Sequence, residues 1–521
     1  MAMIPKGVLR KLYNHTSLRN QAGKVRFSVK NRLAPATLLA ITRVAVDGED
    51  VPPERITVAF DGQAPESLAD FGGRGGVEFS LGATLAFELD RPTLEEGEHE
   101  LAVGFSLKPF GDLTLEVRDT LNTGRHAEGA LPRDVEDDYS PEVIAARQSF
   151  IREHTGADIG HIAGYGIDPA ACRGNIEHFT GAAQIPLGFA GPLDVRGEHA
   201  RGAFYVPLAT TEGTLVASYN RGMKVLSESG GVQCAVVGDA MQRAPVFCFH
   251  NGADTKRFAD WVAANRAGIT SAAEATDKFV ELVEIDTYIA NRFVFLRFNY
   301  RTGDAAGMNM VGKATFAACN WILQHFDDAE VERFFLEGNF ATDKKLSMVN
   351  IMRTRGKRVT AEATVKREVL RSIMDADTES LYAHYKAATI GSMLSGASNN
   401  GCHSPNAITA IFIATGQDVA NVSESSAALL HTELTPDKDL YMSITLPSLI
   451  VATCGGGTNL PTQRESLAAM GCHGPGKVYK FAEIVAGTVL AGEVSLAAAI
   501  SSLDWVSSHE QMGRNDPTAA G

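Results

Sequence analysis

Thr210-Thr211-Glu212-Gly213-Thr214-Leu215-Val216-Ala217-Ser218 decides how this chain is read, because three further uncommon strings follow it in order. They are Gly303-Asp304-Ala305-Ala306-Gly307-Met308-Asn309-Met310, Thr342-Asp343-Lys344-Lys345 and Gly416-Gln417-Asp418. Thr210 and Thr211 are residue types that cap helices, so Glu212 is expected in a first helical turn. There the helix dipole favours an ionised carboxylate, whereas burial or a second carboxylate favours the protonated form. A proton donor needs the second influence. Asp418, following an apolar helix expected at 408–414, is the candidate neighbour. Read alone, Glu212 is a helix-start glutamate without a role, and Asp418 a polar turn after a helix.

A chain of 521 residues at 45% hydrophobic content holds more than one core, so two to four domains are expected. A formal charge of −14 argues against nucleic acid or an anionic membrane as partner, while leaving room for a locally basic cleft. The seven cysteines (172, 234, 248, 319, 402, 454 and 472) are scattered singly, which fits a reduced, cytoplasmic enzyme and no metal site. The opening Met-Ala-Met-Ile-Pro-Lys-Gly lacks the apolar core of a signal peptide. The uncharged stretch 440–463 is broken by Pro447, Gly455-Gly456-Gly457 and Pro461, so no spanning helix is expected there and no membrane partner.

Residues 1–120 read as all-β and sandwich-like. Val25, Phe27 and Val29 alternate with polar residues, as do Ile56, Val58 and Phe60, then Leu101, Val103, Phe105 and Leu107. Asp47-Gly48 and Asp61-Gly62 supply turns between them. Composition shifts at 121–139, through Asn122-Thr123-Gly124-Arg125-His126 and an acidic run from Asp134 to Asp138, which reads as a linker. Helical spacing then takes over. Residues 360–394 read as one long amphipathic stretch, and 482 to about 507 as a helix buried on most sides.

Reducing a thioester or an aldehyde needs a hydride donor, a positive group facing the oxygen as it gains charge, and proton sources. Lys344 could be the positive group, since an ammonium in a dry site stabilises an oxyanion far better than in water. Its plain alternative is a surface lysine in a polar loop. His509 could protonate a departing thiolate, because histidine titrates near neutrality. It could also be an ordinary exposed side chain. No Gly-x-Gly-x-x-Gly follows a strand, so a Rossmann fold has no support. Gly303, Gly307 and Gly455-Gly456-Gly457 instead allow close backbone approach to a phosphate or ring, or simply mark tight turns.

In combination, these strings and their order resemble class I 3-hydroxy-3-methylglutaryl-coenzyme A reductase over residues 140–514. Further matching strings are Ile185-Pro186-Leu187-Gly188-Phe189-Ala190-Gly191-Pro192-Leu193, Asp239-Ala240-Met241-Gln242-Arg243-Ala244-Pro245, Gly338-Asn339-Phe340-Ala341, and Cys454 with the glycine triplet. The resemblance implies an α+β fold with a helical part at 140–174 and a large catalytic domain (175–243 and 337–521) around a long central helix. It also implies an inserted ferredoxin-like NAD(P)-binding domain at 244–336. Lys344 then matches the oxyanion-stabilising lysine, Glu212 the proton donor, Asp418 the aspartate linking them, and His509 the histidine that protonates coenzyme A. Arg243, Asp343, Lys345, Asn406, Glu337, Glu177, Ser218, Asn220 and Arg221 fall at substrate positions. Asp277, Lys278, Asp304, Gly307, Met308, Asn309 and Gly455 to Gly457 fall at cofactor positions. The implied reaction reduces the acyl-coenzyme A thioester to mevalonate and free coenzyme A with two equivalents of NADPH, or of NADH. The implied assembly is a homodimer or larger homo-oligomer whose subunits share an active site.

Several positions depart from the family pattern. Glu337 stands where a serine is usual, and Ala387 where a lysine is usual, with Lys386 one residue out of register. A carboxylate in place of a donor repels another carboxylate unless protonated. Weaker binding of the substrate's acid end, or a different acyl group, is therefore expected, and a catalytically silent acyl-coenzyme A binding protein is the remaining alternative. Asp277-Lys278 replaces a usual Ser-Arg, which suits a ribose diol. His178 replaces an asparagine, and Met512 a histidine.

Overall fold

A computed structural model of the chain describes residues 9–32, 36–61, 63–72, 76–80, 82–121, 131–134 and 137–502. His509 and Met512, and residues 122–130 of the expected linker, lie outside the described residues. The chain divides into two compact units, residues 1–130 with 320–325 and residues 131–319 with 326–521.

The first unit is built of strands. Along Lys24–Lys30 every second side chain is buried, so Val25, Phe27 and Val29 face inward. One sheet runs in the order Arg19–Gln21, Lys24–Lys30, Thr84–Leu89, Ile56–Phe60, Glu66–Ser67. The other runs Gly111–Leu121, Gly97–Lys108, Ala36–Val46, Glu49–Asp50, with Val77–Phe79 paired to the start of Ala36–Val46. Phe27, Val58 and Phe87 of the first sheet share one core with Val44, Phe105 and Val117 of the second. Asp47 and Gly48, both at positive φ, make the turn between paired strands.

In the second unit, strand Gln233–Arg243 belongs to two ladders. It pairs with Gly356–Val365 from Gln233 to Ala240 and with Phe293–Arg301 from Met241 to Arg243. One path of neighbours therefore runs Arg333–Phe335, Val246–Cys248, Phe293–Arg301, Gln233–Arg243, Gly356–Val365, Leu440–Leu449, Leu429–Leu434. The loop that carries Gly303 and Gly307 leaves the end of Phe293–Arg301 and so begins beside this junction.

Against the sheet lies helix Val478–Ser501, whose residues are buried on nearly every side. By length and composition it could cross a membrane, yet most of it is enclosed by this fold. Its buried carboxyls are given work. Glu483 accepts the N–H groups of Glu198, His199 and Ala200, and Glu493 those of Cys402 and His403. A buried acid so partnered locks loops onto the helix instead of destabilising it. Helix Leu215–Glu228 packs on it with little between the backbones. A Cβ on Gly222 would stand 1.9 Å from Ala491 O, and one on Gly492 would stand 2.3 Å from the Tyr219 ring.

Two expectations are corrected. Residues 360–394 are not one helix: Gly356–Val365 is a strand, followed by helices Arg367–Met374 and Thr378–Leu394. Val359, Ala361, Ala363 and Val365 alternate inward into the core shared with the central helix, while the backbone pairs with a strand on either side. Asp375 at φ 48° then breaks the helical run. The acidic linker is in part anchored: the wholly buried Arg147 of helix Pro141–Thr155 donates to Pro132 O, Asp138 O and Phe179 O, and pairs with the Asp138 carboxylate.

Gly222→Ala should destabilise the protein by about 1–3 kcal/mol or more, the cost of forcing a methyl into a filled contact. Denaturant titration checks this, and an unchanged midpoint would refute the close helix contact.

Candidate active site

The Thr342-Asp343-Lys344-Lys345 loop is held in an unusual shape. Thr342 has φ 55° and Lys344 φ 56°, both in the left-handed region that side chains avoid, at about 1–3 kcal/mol each. Lys344 Nζ lies 3.1 Å from Asp418 Oδ2, and both side chains are nearly half exposed, at 44% and 46%. A pair so exposed adds little stability, about 0–1 kcal/mol. Its consequence is geometric: it keeps the ammonium beside the Asp418 carboxylate and in contact with solvent.

Behind the lysine stand charges that the sequence reading missed. The Lys344 N–H donates to Glu424 Oε1 at 3.0 Å. Glu424 is fully buried and also accepts from Asn421 Nδ2 and from Arg355 Nε at 3.3 Å. Burial pushes the Glu424 carboxyl up, against the opposing pull of these donors. Arg355, also buried, reaches Asp343 Oδ1 at 2.5 Å and Gln242 O. Glu424 stands among serines and Arg355 among other basic residues, so neither carried a local signal of burial.

Backbone contacts bring the other loops to the same place. A Cβ on Gly416 would stand 2.2 Å from Gly457 O, so the Gly-Gln-Asp turn and the glycine triplet touch through bare backbone. Gln417 exchanges two hydrogen bonds with the Ala452 backbone. Thr453 N–H donates to Asp304 O at 3.0 Å. Asp304 itself, expected at the cofactor, accepts the N–H groups of Gly476, Lys477 and Val478 at the start of the central helix. It serves here as a helix cap that pins the loop from Gly303 to Gly307. Lys357, buried against Asp239, extends toward Gly303 O.

These loops fit a nucleotide cofactor by their open glycines. Gly303, Gly455 and Gly456 all have positive φ, and a Cβ at any of them would meet nothing within 4 Å. Bare backbone thus faces free space. Gly307 differs, being packed against Thr302. Met308 opens a helix, with Asn309 exposed beside it. Asp277 and Lys278 sit in the turn before strand Glu281–Ala290; Asp277 Oδ1 accepts the Phe279 N–H, and Lys278 lies over the Phe279 ring.

Among the expected substrate residues, Arg243 Nη1 is 3.5 Å from Glu337 Oε2, and Arg243 Nη2 donates to Met308 O. Lys345 Nζ reaches Asp343 O. Asn406 approaches His403 Nδ1 at 3.4 Å, and the His403 ring stacks on Tyr219. Ser218 and Arg221 meet Ser495 on the central helix, while Asn220 accepts the Gly191 N–H. Glu177 is exposed on the loop after Pro169–Cys172.

Glu212 is not in a first helical turn. Helix Leu215–Glu228 starts after it, Thr214 at its N-cap has φ 67° and makes no side-chain cap, and the Glu212 N–H donates instead to Thr210 Oγ1. The threonine serves a local turn in place of a cap. Among the described residues, no hydrogen bond or ion pair joins Glu212 to Lys344 or Asp418 within one chain.

Residues 143–514 match the family described as Hydroxymethylglutaryl-coenzyme A reductase, and residues 8–122 match its N-terminal domain family. A 3-hydroxy-3-methylglutaryl-coenzyme A reductase of Pyrococcus abyssi is 43% identical over 71% of this chain and 92% of its own. The corresponding protein of Methanothermobacter thermautotrophicus is 42% identical over 77% of this chain and 100% of its own. A class II 3-hydroxy-3-methylglutaryl-CoA reductase of Streptococcus pneumoniae, solved with NADPH, shares the fold at TM-score 0.51 and 20% identity, over 64% of this chain and 89% of that one. These matches make the chain an oxidoreductase of mixed helix and sheet. The chain belongs to the hydroxymethylglutaryl-coenzyme A reductase family, whose members reduce that thioester to mevalonate with NAD(P)H.

Because Glu424 takes up protons more readily folded than unfolded, its charge opposes folding increasingly as pH rises above the ordinary glutamate value of about 4.3. Glu424→Gln keeps the Oε1 acceptor and removes that charge. Its stability relative to wild type should therefore rise with pH across the acidic range. A difference constant from pH 4 to 7 would show the carboxyl carries no such shift.

Proposed function

We propose that Lys344, Glu212, Asp418 and His509 are the catalytic residues of this chain's reduction of hydroxymethylglutaryl-coenzyme A. The observation that carries the reading is the Lys344–Asp418 pair, held by a strained loop beside two open glycine segments. The cofactor, when bound, supplies the hydride. Lys344 Nζ faces the carbonyl oxygen as it gains charge, and Asp418 keeps the ammonium aimed. Glu212 gives the proton that quenches the oxyanion, and His509, outside the described residues, protonates the departing thiolate. NADPH is the cofactor favoured.

Domain assignment follows the same reading. Strands Val246–Cys248, Glu281–Ala290, Phe293–Arg301 and Arg333–Phe335 alternate with helices in the order expected of a ferredoxin-like unit, and they pair in the order fourth, first, third, second. We assign 244–336 as the cofactor domain, 140–174 as the helical entry and the flanking segments as the catalytic domain. The isolation of Glu212 from Lys344 favours a homo-oligomer in which a second copy completes the site. Exposed Met348 and Met352, on the helix that follows the lysine loop, and Ile390, Met393 and Leu394 offer it an apolar face. A cytoplasmic location suits seven unpaired cysteines.

Supplied with the thioester, the protein should oxidise two cofactors per thiol released, faster with NADPH than NADH, and Lys344→Ala should lower kcat by about 10²–10³ or more. An undiminished rate in Lys344→Ala would overturn the assignment. Since Glu337 occupies Arg243, Glu337→Ser should lower the thioester KM about two- to fivefold, the weight of a partly exposed ion pair. An unchanged KM would mean that the pair does not compete with substrate.

A further inference from the structure

Nothing in the local sequence keeps Thr342 at φ 55°, since a β-branched residue avoids that region. One side chain holds the turn from both ends. Asn350 Nδ2 donates to Thr342 O and to Lys345 O, each at 3.4 Å, and Asn350 Oδ1 accepts the Thr342 hydroxyl at 2.6 Å. Lys344 lies between the bridged carbonyls, so the amide spans the residue whose ammonium matters.

The amide has little freedom of its own. Asn350 is buried, its N–H is capped by Ser347 Oγ, and its Oδ1 also accepts Arg297 Nη2 at 3.3 Å. A guanidinium only donates, so the oxygen must face Arg297. Arg297 is wholly buried and donates further to Asn299 Oδ1 at 2.9 Å and Thr354 O at 3.2 Å, with Asp286 Oδ2 at 3.7 Å. A rigid planar fork suits such a junction, and a lysine would not reach all these acceptors. Arg297 and Asn299 belong to Phe293–Arg301, the strand that runs straight into the loop bearing Gly303 and Gly307. Asp286 on the adjacent strand also pairs with Arg353, in the helix that contains Asn350.

We propose that Asn350 is a positioning residue for Lys344, and that Arg297, by fixing the Asn350 amide, ties the lysine loop to the strand leading into the glycine loop. The two loops thereby set one another's geometry: a shift of the strand moves Arg297, the amide follows, and the lysine leaves its place opposite Asp418. This rests on Lys344 being the group that faces the carbonyl oxygen.

Asn350→Asp keeps the acceptor and loses the donors to Thr342 O and Lys345 O; Thr342→Val loses the hydroxyl, and Thr342→Ser restores it. In the full-length protein, kcat for thioester reduction should fall about 10- to 100-fold in Asn350→Asp and Thr342→Val, as small misplacements of a reacting group do. The KM values for thioester and cofactor should stay within about twofold and the melting temperature within a few degrees, while Thr342→Ser recovers most of the rate. Arg297→Lys should lower kcat likewise, and Arg297→Lys with Thr342→Val should fall no further than the worse single variant, since members of one network are not additive. Full kcat in Asn350→Asp, a loss of rate matched by a loss of melting temperature, or additive losses in the double variant would each overturn the proposal. Lys344→Ala separates the two readings. If it is inactive while Asn350→Asp is normal, only the positioning role fails; if it is active, the lysine's assignment fails and this role with it.

Discussion

The burial of helix Val478–Ser501 is the constraint from which the rest of the second unit follows. The backbone N–H groups where the chain turns into this helix have no partner within the helix itself and take acceptors from elsewhere in the chain. Asp304 supplies them for Gly476, Lys477 and Val478, and this fixes where the loop from Gly303 to Gly307 must lie. Farther along, Glu483 and Glu493 do the reverse, taking N–H groups from loops 198–200 and 402–403. Tyr219 and Gly222 let the helix that follows the Thr-Thr-Glu-Gly turn come within backbone distance. Two candidate site segments, the loop from Gly303 to Gly307 and the helix that follows the Thr-Thr-Glu-Gly turn, are thus placed by direct contact with one rod.

Charge at the lysine loop is arranged so that most of it is neutralised away from solvent. Asp343 and Glu424 are both answered by Arg355, itself buried, and the Glu424 carboxyl is pushed up by its burial. That leaves Lys344 and Asp418 as the exposed pair. An ammonium with a single partner in partial contact with water can exchange that partner for a developing oxyanion. A lysine fully bonded to buried carboxylates could not, because the exchange would strand a buried charge.

The chemistry-bearing strings were legible because each is a loop whose composition is uncommon, and loops carry function through their own residues. The alternation in residues 1–120 was legible because one face of each strand is core. Gly356–Val365 was missed although Val359, Ala361, Ala363 and Val365 alternate with polar residues, because two of the four are alanines with little strand preference and helices follow closely. Glu212 was misplaced for a local reason: Thr210 bonds the Glu212 N–H and Thr214 adopts positive φ, so the helix starts later than cap rules indicate. Asn350, Arg297, Arg355 and Glu424 left little trace, since their partners lie in other segments and hydrogen-bond direction has no sequence period. Asp304 shows a subtler limit. Its place in a glycine-rich string pointed to a ligand, while its carboxylate is committed to the protein's own backbone.

Backbone strain and weak pairing at the lysine belong together. Because the Lys344–Asp418 contact is half exposed, it holds the ammonium loosely and cannot by itself fix where the nitrogen stands. Positional accuracy must then come from the main chain. An ordinary loop conformation would let Thr342 and Lys344 relax in several directions, whereas left-handed geometry at both persists only if outside groups over-determine it. Asn350 from one side and Glu424 from the other bond the backbone of that turn, one through its carbonyls and the other through the Lys344 N–H. The turn is therefore stiff where its side chain is free, which is the combination a group needs if it must meet a charge that exists only during the reaction.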